Sequence, residues 1–86
     1  MVTESPDRTS YDAELLDRAE ALRSDAELMD EYARRLRATA DTLVGCPAAP
    51  EWSRPTLERQ AAACTTAAEQ LRTAAEALRA HAGAGD

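Results

Sequence analysis

Apolar residues recur at alternating intervals of four and three along two stretches of this chain, and this spacing constrains the fold more than any other feature. The first series is Leu15, Ala19, Leu22, Ala26, Met29, Ala33, Leu36, Ala40 and Leu43. The second series is Leu57, Ala61, Cys64, Ala68, Leu71, Ala75, Leu78 and Ala82. A four-three alternation keeps one narrow stripe on one side of an α-helix, as in a coiled coil. The sequence therefore predicts two helices and no strands.

The segment between the two series predicts a turn that reverses the chain. Gly45 suits the left-handed conformation that follows a helix, and Pro47 interrupts a helix directly after it. Pro55 suits the first turn of a second helix, with Ser53 as its predicted N-cap. We expect an all-α fold, an antiparallel two-helix hairpin with an Ala/Leu coiled-coil seam in which leucine interlocks over alanine. The predicted ranges are a flexible N-terminus 1–8, a hairpin 9–82 (helix 9–44, turn 45–54, helix 55–82) and a flexible tail 83–86.

The predicted seam is too thin to make a large core. The chain has 86 residues with no Phe, one Trp and two Tyr, and alanine dominates its apolar positions. Chains of this size rarely bury enough apolar area to be stable without a further staple or a partner. The sequence therefore favours completion of the hairpin as a four-helix bundle by dimerisation, with itself or with another helical hairpin.

The acidic composition disfavours several classes of partner. A net charge of −6 opposes binding to nucleic acid and to anionic membranes, both of which attract basic surfaces. The longest uncharged stretches are too short and too interrupted to span a bilayer. The N-terminus carries Glu4 and Asp7 instead of a basic start followed by an apolar run. The sequence is rich in alanine and arginine and has no lysine, which is typical of a high-GC bacterial source. We therefore expect a protein of the bacterial cytoplasm, or one exported without a cleavable signal peptide.

The residue types that support catalysis or metal binding do not form a recognisable pattern. The soft ligands Cys46, Cys64 and His81 match no zinc spacing, so no metal or cofactor is expected. The carboxylates alternate with arginines at helical intervals, which is typical of a solvated face, and no enzymatic activity or small-molecule substrate is expected. A disulfide between Cys46 and Cys64 is not favoured, because the two lie at different levels of the predicted hairpin.

Four large apolar residues outside the seam are candidates for binding a partner. Leu16, Leu28 and Tyr32 lie off the main stripe of the first helix, and we interpret them as a docking face. The alternative is that they are scattered surface residues without a role. Trp52 is interpreted as a plug at the open end of the hairpin or as an anchor for another protein.

The turn motif carries a resemblance to a known family. Trp52-Ser53-Arg54-Pro55 is similar to the Trp-Ser-Gly-Pro turn of the WXG family, the ESAT-like helical hairpins of type VII secretion, and to the related actinobacterial Esp-type proteins. The hairpin outline covers nearly the whole chain, whereas the motif covers four residues. Arg54 replaces the family's glycine. The family's export motif, a tyrosine followed four residues later by an acid near the C-terminus, is absent because no tyrosine follows Tyr32.

The resemblance implies a hairpin that pairs with a second hairpin as an antiparallel four-helix dimer, and an actinobacterial source. On this basis the predicted function is a helix-packing interaction module, either a type VII secretion substrate or the partner of a larger secreted protein that carries the export motif. The alternative is a cytosolic structural or regulatory adaptor that binds an unrelated helical partner.

Overall fold

A computed structural model describes residues 6–83, which form two long helices joined by a short connection. Helix α1 spans Pro6–Thr42 and helix α2 spans Ser53–Gly83. No strand occurs within residues 6–83, and the two helices pack against each other along their length. The Cα trace is only 13 × 12 Å in cross-section, which leaves no room for a third layer. The prediction of an all-helical hairpin is confirmed.

Two polar contacts between the helices fix their direction and register. The Arg37 guanidinium donates a hydrogen bond to the Thr65 hydroxyl (Nη2–Oγ1, 3.3 Å), and Arg72 forms an ion pair with Asp30 (Nη2–Oδ2, 2.5 Å). Going back seven residues along α1, from Arg37 to Asp30, corresponds to going forward seven residues along α2, from Thr65 to Arg72. The helices are therefore antiparallel, with a constant register over at least two turns.

The buried residues of the described chain are eight alanines and Leu15. Ala26, Ala61, Ala68 and Ala75 have no exposed surface, and the alanines 19, 33 and 40 are 1–2% exposed. The register given by the polar contacts places these alanines level in pairs, Ala40 with Ala61, Ala33 with Ala68, Ala26 with Ala75 and Ala19 with Ala82. We call these eight residues the alanine column. Because alanine has only a methyl group, it allows two helix backbones to approach closely.

The larger residues of the predicted seam are less buried than the alanines. Leu15 is 8% exposed, but every other non-alanine position of the two series is only half-buried. We call these eight residues the leucine face: Leu22, Met29, Leu36, Leu43, Leu57, Cys64, Leu71 and Leu78. The expectation that leucine of one helix interlocks over alanine of the other is wrong, because the register places the alanines of the two helices at the same level. The leucine face runs beside the alanine column along both helices.

Helix α1 begins and ends earlier than the sequence predicts. It starts at Pro6, three residues before the predicted start, because proline needs no amide partner in a first helical turn. It ends at Thr42, after which the amides of Leu43 and Val44 donate to carbonyls three residues back. Gly45 has a φ of 74°, so its predicted left-handed conformation is confirmed. The predicted flexible residues 1–5 and 84–86 lie outside the described range.

Helix α2 begins one residue earlier than its predicted N-cap implies. The Trp52 carbonyl accepts the first intrahelical hydrogen bond, from the Thr56 amide at 3.1 Å, so Trp52 is the N-cap and Ser53 is already helical. The assignment of Ser53 as the N-cap was wrong by one position. The Trp52 side chain is 67% exposed. It therefore does not plug the end of the hairpin.

Candidate protein-interaction surface

The leucine face is an apolar strip that the hairpin buries only in part. Its side chains come from both helices and share one side of the alanine column. The register places them level in pairs such as Leu22 with Leu78 and Met29 with Leu71, so they form a continuous apolar strip. Each half-buried side chain of this strip has part of its apolar surface covered by the hairpin, and the remaining part is still in contact with water. Covering them with a further helix would contribute about 1 kcal/mol or more per side chain.

On α2 the surface next to the leucine face carries no charge. The residues that border Cys64, Leu71 and Leu78 on the outer side are small or neutral. They are Gln60, Ala63, Ala67, Gln70, Ala74 and Ala77. A helix of another chain could approach this side of α2 without removing water from an ion.

On α1 the corresponding border combines aromatic residues with charges that cancel. Tyr11, Arg18, Asp25 and Tyr32 follow one another at seven-residue intervals, and all four are exposed. Tyr11 is 54% exposed and Tyr32 is 44% exposed. Sequence reasoning missed Tyr11, although its three-heptad distance from Tyr32 was available in the sequence as a clue. This row gives α1 the large residues that α2 lacks.

The opposite side of the alanine column is polar. There Asp30 contacts Arg72 and Arg37 contacts Thr65, and exposed Arg23 lies near Arg72 in a small crevice. We call this the charged side. On α1, the residues three positions before each column alanine and the residues three positions after it lie on opposite flanks of the helix. The first group is mostly charged and the second group is apolar, so the two sides of the hairpin differ.

The structure brings two of the three predicted α1 docking residues together and separates the third. Leu28 and Tyr32 are one turn apart and both border the leucine face, whereas Leu16 is about 160° from Tyr32 around the helix axis. Leu16 thus lies on the charged side. All three are exposed, at 47%, 44% and 47% for Leu28, Tyr32 and Leu16 respectively. Their role in binding stays a prediction, and Leu16 cannot share one flat interface with the other two.

The turn motif lies where the connection meets α2. Trp52 extends into solvent as the most exposed large apolar side chain of the described chain. A shallow cavity of about 350 Å³ lies beside it. The cavity is lined by Leu43, Cys46, Ala49, Pro50, Glu51, Arg54 and Pro55. Trp52 therefore remains a candidate anchor, and Ser53, Arg54 and Pro55 complete the turn motif that begins with it.

Both cysteines are free thiols. Cys46 is exposed in the connection, and Cys64 is half-buried in the leucine face. The Arg37–Thr65 hydrogen bond places Cys64 near the level of Leu36 on α1, more than two turns from Cys46. The separation agrees with the interpretation of Cys64 as a small apolar residue of the helix packing.

The described residues hold neither a metal-ligand cluster nor a membrane-spanning helix. Among residues 6–83, no three His, Cys, Asp or Glu side chains are close enough to hold a metal ion. Neither α1 nor α2 is long and apolar enough to cross a membrane. The larger depression, of about 500 Å³, lies on the outer side of α2 alone. It is lined by Thr66, Glu69, Gln70, Thr73, Ala74 and Ala77.

The fold and this surface define a two-helix hairpin with one open apolar side. Comparison with protein families, with characterised proteins and with solved structures finds no match for this chain.

Proposed function

We propose that this protein is a helix-packing interaction module that uses the leucine face to bind another helical element. The observation that carries the proposal is the inverse relation between size and burial, because the alanines are enclosed while the leucines beside them are only partly buried. A folded chain that leaves its larger apolar side chains in one continuous open strip gains most from a partner that covers them. Leu28 and Tyr32 border this strip and would extend the contact.

The partner is a helix or a helical hairpin. The leucine face is long, straight and only as wide as two helices, so an extended apolar stripe of matching length fits it better than a compact ligand does. Binding completes a four-helix bundle when the partner is itself a hairpin.

The test is the solution mass of the protein, alone and mixed with the product of the neighbouring gene, measured by light scattering during gel filtration. The expected mass exceeds the 9.3 kDa of the single chain in at least one of the two samples. Leu71→Gln and Leu28→Gln should reduce the assembly, whereas Leu16→Gln, on the charged side, should leave it unchanged. A chain that remains monomeric and stable in both samples contradicts the proposal.

Within this function, the resemblance of the turn motif favours a role in type VII secretion, as a substrate or as the partner of a larger substrate. Trp52-Ser53-Arg54-Pro55 supports this role because the tryptophan is exposed at the start of α2. Deletion of the secretion ATPase of the source bacterium should remove the protein, or its bound partner, from the culture medium. Unchanged export after that deletion contradicts the role.

The second candidate is a cytosolic structural or regulatory adaptor. It is favoured by residues 33–86, which contain no tyrosine and therefore no copy of the export motif of the family that the turn motif resembles. Retention of both this protein and its partner inside the cell, with the assembly intact, would select the adaptor.

A further inference from the structure

The leucine face has a direction, a length and two unequal borders, and together they restrict what can cover it. We propose that its occupant is one amphipathic helix of a different chain, which lies lengthwise between α1 and α2 and completes a three-helix bundle. This inference rests on the proposed function and specifies the partner as a single helix with a defined length and side-chain pattern.

The angle between the alanine column and the leucine face points to a single helix. On α1 each residue of the leucine face follows a column alanine by three positions, as Met29 follows Ala26, and on α2 Leu71 follows Ala68 in the same way. Three residues turn through about 300°, so the leucine face lies about 60° to one side of the column on each helix. Because the alanines of the two helices face each other, two such angles define an equilateral triangle. Both leucine rows therefore point at its third corner.

A partner hairpin needs a wider apolar surface than α1 offers. When two hairpins pack as a square, the second neighbour of each helix lies about 90° from the first, between the leucine face and the next row outward. On α1 that row includes Arg18 and Asp25, both exposed. A second hairpin would cover these charges, whereas a helix at the corner of the triangle leaves them at the margin of the contact, where water still reaches them. A second copy of this chain cannot supply a single helix, because its α1 and α2 pack against each other along their length.

The length of the leucine face sets the length of the partner helix. Along α2 it extends from Leu57 to Leu78, a rise of about 32 Å, which a helix of about 22 residues matches. A helix of this length contacts all eight residues of the leucine face. It needs large apolar side chains at four-three spacing, because each of its turns must reach the leucine rows of both α1 and α2.

The border on α1 sets the charge of one flank of the partner. Asp25 is exposed there, and it forms no ion pair within residues 6–83. Arg18 of the same row differs, because it pairs with Glu14 (Nη2–Oε2, 3.3 Å). The residues three and four positions from Asp25 are all apolar, namely Ala21, Leu22, Leu28 and Met29. A helix that passes this carboxylate removes part of its water, so a lysine or arginine at the same level stabilises the complex.

The border on α2 sets the other flank. It contains no charged residue, and its members are Gln60, Ala63, Ala67, Gln70, Ala74 and Ala77. An uncharged flank of the partner fits this border without leaving a charge unpaired, and the alanines leave space for larger apolar side chains. The occupant is therefore a helix with a leucine-sized stripe, one basic residue on the flank towards α1 and no charge on the flank towards α2.

The probe is a synthetic helical peptide of about 25 residues with leucine at four-three spacing, balanced charges on its outward face and a single inward lysine on one flank near one end. A matched peptide has glutamate instead of this lysine, and a third has the composition of the first in scrambled order. Fluorescence anisotropy of each labelled peptide with the full chain gives the dissociation constant, and sedimentation equilibrium gives the stoichiometry. We expect one lysine peptide per chain, bound at least threefold more tightly than the glutamate peptide and at least thirtyfold more tightly than the scrambled one.

Variants of the chain test both the flank and the leucine face. Asp25→Lys should weaken binding of the lysine peptide at least threefold and strengthen binding of the glutamate peptide, because the complementary charges are exchanged. Asp17→Lys makes the same change in net charge on the outer side of α1 and is the matched control. Leu71→Gln should weaken both peptides at least tenfold, whereas Leu16→Gln should weaken neither. Circular dichroism of each variant confirms that the helices are retained. Equal responses of the two aspartate variants overturn the predicted charge of the flank.

The two cysteines locate the bound peptide without any substitution. Cys64 belongs to the leucine face and is partly buried, whereas Cys46 is exposed in the connection. A saturating amount of the lysine peptide should slow alkylation of Cys64 by iodoacetamide at least tenfold and leave the rate at Cys46 unchanged, as measured by mass spectrometry of proteolytic fragments. An unchanged rate at Cys64 overturns the predicted site.

The remaining outcomes separate this inference from the proposed function. A chain that binds two peptides, or that ignores them and pairs with a second copy or with the hairpin of a neighbouring gene product, overturns the single helix and leaves the proposed function standing. A chain that binds neither the peptides, nor a second copy, nor the neighbouring gene product overturns both.

Discussion

The alanine column and the leucine face occupy alternate positions of the same two repeats, yet the hairpin treats them differently. The alanines are enclosed, whereas the leucines, which have more apolar area to bury, are only partly buried. In globular proteins leucine is fully buried at least as often as alanine is. Here the close approach of the backbones over methyl groups leaves no space between them for leucine. The contrast supports the proposal that the fold of one chain and the binding of another use separate sets of residues.

The largest expected effect comes from enlarging the alanine column. Ala68→Leu inserts three carbon atoms where Ala33 and Ala68 meet, and it should lower the free energy of unfolding by about 2–3 kcal/mol because the helices are forced apart. Ala62→Leu, at an exposed position of the same helix, should change it by less than about 0.5 kcal/mol. Urea denaturation at a fixed protein concentration measures both. Equal stabilities of the two variants would show that the column does not hold the helices together.

The leucine face should respond to truncation in a way that depends on the concentration of the lysine peptide. Leu71→Ala should cost about 1 kcal/mol without the peptide, where the side chain is half-buried, and about 2–3 kcal/mol where the peptide covers it. Leu16→Ala, on the charged side, should have the same effect at every concentration. Urea unfolding over a hundredfold range of peptide concentration gives the measurement. A constant cost for Leu71→Ala would mean that the leucine face stays open.

The connection should be sensitive to substitution at Gly45. Its φ of 74° is unfavourable for residues with a Cβ, and no atom lies within 4 Å of the added methyl group, so the effect of Gly45→Ala is conformational alone. We expect a loss of about 1 kcal/mol in the free energy of unfolding. Gly83→Ala also meets no atom within 4 Å but lies in helical conformation, so it should be neutral or stabilising. Thermal unfolding of both variants makes the comparison, and an equal response would refute the conformational explanation.

The smallest effect is expected on the charged side. The Asp30–Arg72 ion pair joins side chains that are 33% and 44% exposed, so solvent screens it. Asp30→Asn should lower the free energy of unfolding by about 0.5 kcal/mol, and this difference should shrink in 1 M salt. Asp17→Asn, at an exposed position of the same helix, is the control. A cost above 2 kcal/mol for Asp30→Asn would place the main stabilisation on the charged side instead of the alanine column.

Several features of the fold could be predicted from the sequence because they depend on local spacing and turn chemistry. The two repeats predicted both helices, and Gly45 with the following prolines predicted the reversal. The helix ends were predicted less accurately, because α1 already begins at Pro6 and because the Trp52 carbonyl caps α2 by a backbone hydrogen bond that the side-chain pattern does not reveal. Trp52 was open to two interpretations, and its exposure excludes the one in which it plugs the end of the hairpin.

The amino-acid sequence by itself determined that this chain forms an antiparallel helical hairpin with an apolar stripe of alanine and leucine. Only the tertiary structure decided how far each helix is rotated about its own axis, and therefore that the alanines face each other while the leucines lie to one side. The physical reason is that four-three spacing defines a stripe about two residues wide but does not say which of the two lies at the closest approach. That choice depends on how near the backbones come, and alanine allows the nearest approach. The same rotation placed Leu28 and Tyr32 on the open side and Leu16 on the charged side.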